Sequence, residues 1–266
     1  MSLAAIALDR TVLELKMYFR EREAVFFSFL FPVLMLSLFA AVFGDGFREG
    51  GSLISAAQFF LPGMVAGGVM LTSFQTLALS VAMERDDGTL KRLRSTPMPP
   101  VAYFLGKVGL VAASSLGQLA LLLLVAGVVF DVPLPAAASA WSTFLWVFLL
   151  GVSGGTVLGI AYSTLAGSAR SAGAVVIGPL LVLQFISGVY FAYGEIPSWL
   201  QQVAALFPLK WVAQGMRSVF YPAGMETQEV AGSWEHPVTA LVLGLWLVVG
   251  LVLSARTFTW FKRGSV

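Results

Sequence analysis

The 266-residue chain contains no cysteine, a single histidine (His236), and only 11% charged residues. Without cysteine there is no disulfide framework, thiolate nucleophile or thiolate metal site. One imidazole excludes a histidine cluster or histidine acid–base pair within the chain, so no catalytic residue and no metal ligand is expected. The net charge of +2 gives nucleic acid no electrostatic footprint to bind. What is abundant is apolar side chain: 58% of the residues, with a mean hydropathy of +0.86. Soluble chains are about a quarter charged, and this one has too few charges to cover a wet surface of its size. A disordered chain, a secreted disulfide scaffold and a cytosolic enzyme domain are therefore disfavoured. The reading is an all-α polytopic membrane protein, a single transmembrane domain with the lipid bilayer as its solvent. The excess of Arg over Lys, with many Ala, Gly, Val and Leu, points to a high-GC bacterial source.

A crossing helix needs roughly 20 apolar residues to traverse about 30 Å of hydrocarbon. Charge-free runs trimmed at their Gly, Pro and polar punctuation predict six spans, at 24–43, 59–83, 103–130, 141–167, 172–191 and 237–255. The first is too long, and too closely preceded by Glu14, Glu21 and Glu23, for a cleaved signal peptide. Lys and Arg concentrate in 3–22, 84–107, Arg170 and Arg256–Arg263, whereas the alternate connections hold only Arg48, Lys210 and Arg217. The positive-inside rule then places both termini in the cytoplasm of a multi-pass protein in the plasma membrane. Gly151, Gly155, Gly159, Ser163 and Gly167 recur every four residues in the fourth span, and Gly63 and Gly67 in the second. Such stripes let helix backbones approach closely. Pro62 is expected to start or kink the second helix.

Three segments do not span. Residues 3–22 form an amphipathic interfacial helix, with Leu8, Val12, Leu15 and Phe19 on one face and Arg10, Glu14, Lys16 and Arg20 elsewhere. Residues 84–96 are dense in charge, enter a helix after Asp86–Asp87–Gly88, and carry an apolar edge of Leu90 and Leu93; Pro97, Pro99 and Pro100 stop that helix. A short helix held between two spans would transmit motion from a docked partner. Residues 192–222 read as an external interfacial or re-entrant hairpin broken at Pro208, with Trp199, Trp211, Tyr190, Tyr193 and Tyr221 in an outer aromatic belt.

Phe104–Leu105–Gly106–Lys107–Val108 has the Gly-Lys pair of a phosphate loop but lacks its upstream Gly and its Ser/Thr. Lys107 reads instead as a snorkelling anchor. If ATP drives this protein, another chain binds it. No charge sits deep in any predicted span, which argues against ion-coupled transport and against an intramembrane enzyme. Thr72, Gln75, Thr76 and Ser80 share a face of the second span, and Gln184 and Ser187 sit in the fifth. Such mild polar residues serve either as interhelical hydrogen bonds or as the lining for an apolar or lipid-like cargo.

With Glu84–Arg85, Gly88–Thr89–Leu90, Leu93 and Thr96–Pro97, then Leu105–Gly106–Lys107, and later Ser187–Gly188–Val189–Tyr190–Phe191 and Pro208–Leu209, the chain resembles the type-2 permease subunits of ATP-binding-cassette exporters. Its style is close to daunorubicin-resistance and nodulation exporters. The resemblance implies a permease that moves a hydrophobic drug, lipid or glycolipid outward. It also implies a cytosolic ATPase partner holding the ATP and Mg, and a second permease copy or a similar permease completing a dimer. In that family the amino-terminal helix and first cytoplasmic loop dock on the ATPase, which assigns coupling to Glu84, Arg85, Gly88, Thr89, Leu90, Arg92, Leu93 and Pro97. The second and fifth spans line the central cavity, which assigns lining to Thr72, Gln75, Thr76, Gln184 and Ser187. The Asp86–Asp87 pair departs from the family pattern and is expected to tune partner choice. Two alternatives stay open: polysaccharide export, and a non-transporting membrane anchor or immunity protein.

Overall fold

The structure, a computed structural model, describes residues 2–44, 46–49 and 52–260; Lys262 and Arg263, placed above on the cation-rich side, lie outside the described residues. In chain order it contains α1 Leu3–Arg20, α2 Phe26–Phe43, β1 Phe47–Glu49, β2 Ser52–Ile54, α3 Ala56–Asp86 and α4 Thr89–Arg94. It continues with α5 Pro100–Val128, α6 Ala138–Leu165, α7 Ala169–Ile186, α8 Ser198–Ala205, α9 Pro208–Phe220 and α10 His236–Thr257. Six of these helices, α2, α3, α5, α6, α7 and α10, are long and apolar enough to cross a membrane. The architecture is that of an all-α polytopic membrane protein. A small antiparallel hairpin, with Phe47 opposite Ile54, departs from the purely helical expectation.

Local chemistry sets the boundaries. Ser55 caps α3 through Gln58 N, so the helix starts before Pro62, which is carried in its interior. Pro100 in the first turn opens α5, where its missing N–H costs nothing. At the fifth span the structure differs from the expected 172–191. Ser168 and Ser171 form a capping box that starts α7 at Ala169. The helix ends at Ile186, ahead of Gly188, whose φ of +76° suits glycine.

α3 is the central helix: 72% of its apolar stretch is buried, against 17% for α2 and α10 and 22% for α7. It contains a π-helical turn, Leu71–Gln75, against which α6 packs through its glycine stripe. A Cβ at Gly159 would lie 2.6 Å from the Phe74 carbonyl oxygen, and one at Gly63 2.3 Å from the Val189 carbonyl oxygen. Gly154, by contrast, has nothing within 4 Å of that position. Gly159→Ala and Gly63→Ala should therefore each cost about 1–3 kcal/mol, while Gly154→Ala should be neutral or stabilising by up to about 1 kcal/mol. Thermal unfolding followed by tryptophan fluorescence checks the contrast, and equal effects at all three positions would refute the close approach.

The residues after α10 return to one end of the bundle. The Arg85 guanidinium donates to Ser163 O at 2.9 Å, Ser163 Oγ at 3.0 Å and Thr259 O at 3.4 Å, tying α3 to the ends of α6 and α10. The α8–α9 hairpin enters from the opposite end. Gln58 Nε2 donates to Phe220 O near the start of α3, and Val212 packs where Gly151 and Val69 meet. The hairpin therefore reaches about halfway down α3, and Trp246 Nε1 closes its tip by donating to Leu206 O at 2.8 Å. It is re-entrant.

Candidate functional site

Three helices each bring a pair of polar residues four positions apart to the same point, and four-residue spacing places both members on one helix face. From α1 come Arg10 and Glu14, from α3 Ser80 and Glu84, and from α5 Tyr103 and Lys107. The Lys107 ammonium is fully buried and donates to Glu84 Oε1 at 2.6 Å, Ser80 Oγ at 2.7 Å and Glu14 Oε2 at 2.9 Å. Tyr103 Oη donates to the other Glu84 oxygen at 2.8 Å, and Arg10 pairs with Glu14 while standing 3.8 Å from Glu84. Two cations thus balance two carboxylates, and every charge in the cluster is less than a tenth exposed. A buried charge survives only when paired and hydrogen-bonded; each charge here has an opposite partner, and among the described residues the Arg10 Nε is the cluster's one buried nitrogen left without a hydrogen bond.

This hub corrects the snorkelling reading of Lys107. Roughly 10 Å into α5, its side chain turns inward to two carboxylates instead of outward to water. The cluster sits near the ends of α3 and α5, so the expectation that no charge lies deep in a span is not contradicted by it. α1 lies on α5 with Arg10 over Gly106 and Thr11 over Gly109, at positions where any Cβ would collide. The apolar residues Leu8, Val12 and Phe19 are left exposed on its other side, as suits a helix facing lipid.

The hub continues into α4. Asp87 Oδ1 accepts from Thr89 N at 2.7 Å, and Gly88, at φ +78°, makes the left-handed turn that starts the helix. Leu90 is fully buried and clusters with Val81 and Tyr103, with Leu93, Phe258 and Trp260 packed around them. Leu90 therefore faces inward and offers no docking contact, contrary to the expectation of an apolar docking edge. Glu84 and Arg85 likewise face inward from the last turn of α3, Glu84 to Lys107 and Tyr103 of α5 and Arg85 to Ser163 and Thr259. Lys91, Arg92 and Arg94 point outward, Pro97 is exposed, and Thr89 accepts from the Arg92 guanidinium at 3.0 Å. Asp86 Oδ2 accepts from Ala169 N at 2.9 Å, so the acidic pair has structural uses at the starts of α4 and α7.

Of the residues expected to line a cavity, Thr72 is fully buried, donating to Gly68 O at 2.9 Å and sharing a 2.7 Å hydrogen bond with Ser115 of α5. Gln75 and Thr76 are half-buried, and Thr76 Oγ1 donates to Leu71 O at 2.9 Å across the π turn. Gln184 is buried and accepts from the Tyr190 hydroxyl, and Ser187 Oγ is buried without a hydrogen-bond partner. In the single chain Thr72 and Gln184 serve as interhelical or local hydrogen bonds. None of the five lines either of the two clefts at the hairpin end.

At the hairpin end Arg217 grips Glu229 with two nitrogens and donates to Gly188 O at 3.3 Å. Burial works against its charge, but the Glu229 carboxylate outweighs that and holds the guanidinium above its ordinary value. Trp211, Tyr190 and Tyr193 are buried, and of the expected aromatic belt Trp199 is well exposed.

The sequence matches the family described as ABC-2 type transporter over residues 8–221. The chain belongs to the ABC-2 type transporter family. It is also similar to "Putative transport permease ycf38" of Cyanophora paradoxa, at 27% identity over 260 residues, covering 97% of this chain and 87% of that protein. As an ABC-2 permease it is a transmembrane component of a transporter, with no catalytic centre of its own. The family match runs from α1 through α9, so the hub, α4 and the re-entrant hairpin all lie within it. Four-residue polar pairs in segments already read as helical, such as Arg10 with Glu14 and Tyr103 with Lys107, were the available signal for the hub.

Proposed function

We propose that the protein is the permease subunit of an ATP-driven exporter in the plasma membrane of a bacterium, with both termini and α4 in the cytoplasm. A separate ATPase holds ATP and Mg, and a second copy or a similar permease completes a dimeric pathway. The cargo is a hydrophobic drug, lipid or glycolipid taken from the cytoplasm or inner leaflet. The observation that carries this reading is the seating of α4. Its inner side is seated by Leu90 against Val81 of α3 and Tyr103 of α5, directly after the last turn of α3, which Glu84 and Arg85 tie to α5, α6 and the residues after α10, while Lys91, Arg92 and Arg94 stand outward as a cationic contact face.

Closure of the ATPase on ATP pushes α4. The push passes through Glu84 and Lys107 to α1 and α5, and through Arg85 to α6. The π turn in α3 is the compliant element, since π turns interrupt regular helical hydrogen bonding and collect at functional sites. With the outward-facing surfaces of α3 and α7 turned to the second copy, Gln75 and Thr76 would reach a shared pathway that one chain alone does not enclose.

Lys91→Glu with Arg92→Glu tests the docking face without disturbing the buried seat. The doubly reversed protein should insert normally and keep its thermal stability, because both side chains are exposed. Cargo-stimulated hydrolysis by the co-purifying ATPase should fall at least about tenfold, since like charges replace complementary ones. Unchanged stimulation would overturn the docking assignment.

A further inference from the structure

Lys210 stands near the tip of the re-entrant hairpin, 4% exposed. Its ammonium lies 3.4 Å from the centre of the Trp211 ring and 5.2 Å from that of Tyr193. The nearest carboxylate oxygen, Glu235 Oε2, is 3.9 Å away, which is beyond hydrogen-bond reach. The cation is thus held by ring faces and by the field of a carboxylate, with no directed hydrogen bond to it. That is the chemistry that recognises quaternary ammonium groups, which have no N–H to offer. One turn along α9, Gln214 is completely buried, with its Nε2 donating to Trp234 O and Glu235 Oε2, and its Oε1 is a buried acceptor without a partner. Glu235 is held at φ +47°, a left-handed conformation that side chains other than glycine adopt at a cost. The same residue is a quarter exposed and forms a wall of an open cleft with Tyr221, Trp234 and His236.

We propose that Trp211, Tyr193 and Glu235 form a binding site for a quaternary ammonium cation between the re-entrant hairpin and the start of α10, and that the Lys210 ammonium is its tethered plug. A cationic amphiphile arriving there displaces Lys210 and takes over its contacts with the two rings and the carboxylate. This names the cargo class and so rests on the transport reading, but the site itself is testable with the permease alone.

Burial holds Lys210 at about 8, below the ordinary lysine value. Above that pH the plug loses its charge and its hold on the cage, whereas a quaternary cation keeps both. The charged groups around it are Glu235, Glu229 and Arg217, with the Tyr193 hydroxyl pushed by burial to about 12. His236 is turned to Ser218 Oγ at 2.9 Å.

The experiment is equilibrium binding of dodecyltrimethylammonium, and of its neutral tert-butyl analogue, to the full chain in lipid nanodiscs without ATPase or ATP. Wild type should prefer the cation, and its affinity for the cation should rise at least about threefold between roughly pH 7.5 and 9 as the plug neutralises. Lys210→Met should bind the cation at least about tenfold more tightly at pH 7.5, lose the pH dependence, and leave binding of the neutral analogue unchanged. In that background Trp211→Leu should abolish the preference for the cation and Trp211→Phe should retain it. No preference for the cation in wild type, no pH dependence, or no gain in Lys210→Met would each overturn the proposal. The pH arm uses the unaltered protein, so a folding defect in a variant cannot mask the answer. Because no nucleotide is present, failure here leaves the ATP-driven reading standing, and failure of ATP-driven transport leaves this binding result standing.

Discussion

Replacing Lys107 with Met should destabilise the protein by about 3–5 kcal/mol, because it leaves Glu84 and Glu14 buried without the cation they share. The apolar stem is preserved, so packing contributes little to the loss. The decisive comparison is Lys107→Met combined with Glu84→Gln. That double change removes one cation and one carboxylate together, keeps an oxygen for the Tyr103 hydroxyl, and leaves Arg10 paired with Glu14. It should recover most of the lost stability, since replacing both partners of a buried pair is often neutral. Thermal unfolding in nanodiscs, together with the amount of inserted protein, reads both variants. A single variant as stable as wild type, or a double variant worse than the single, would contradict a paired hub. If the hub also relays motion, the double variant should fold but transport poorly.

Leu90→Ala should free the lever while sparing the bundle. α4 has six residues and one fully buried side chain, so its seating depends on that one contact surface against Val81 and Tyr103. Truncating a buried leucine costs about 2–5 kcal/mol, and here the loss falls on a local unit whose opening need not unfold α3 or α5. Amide exchange across Thr89–Arg94 should accelerate by more than about thirtyfold, at tenfold for each 1.4 kcal/mol, while exchange in α3 and α5 stays near wild type. Hydrolysis by the partner should continue and transport should fall. Unchanged exchange at α4 would show that the helix is held by something other than Leu90.

The fold was legible because a bilayer leaves few alternatives. Charge-free runs of sufficient length can only be buried helices, and Ser55, Ser168, Gly88 and Pro100 mark their ends by ordinary capping chemistry. The glycine stripe from Gly151 to Gly159 announced a seam, and the structure supplies its partner, the π turn of α3. The site was less legible. Leu90 and Arg92 are two residues apart, and only the helix rotation decides which faces inward. Lys107 and Glu84 are 23 positions apart and Lys107 and Glu14 are 93 apart, so no local pattern joins them. Lys107 alone, near a span end, looks like many snorkelling lysines. Thr72 shares a predicted polar face with Gln75 and Thr76, but the π turn shifts the register there and Thr72 points into Ser115 of α5.

In the proposed mechanism α4 is a cytoplasmic lever worked by a separate motor. The absence of cysteine from the sequence makes a single introduced thiol a unique reporter of sidedness. Lys91→Cys on α4 and Thr227→Cys beyond the re-entrant hairpin, both at exposed positions, should be treated with a membrane-impermeant maleimide in vesicles of each orientation. With α4 in the cytoplasm, Lys91→Cys should react only from the cytoplasmic face and be shielded when the ATPase is bound, and Thr227→Cys should react only from the opposite face. Labelling of Lys91→Cys from outside the cell would contradict it.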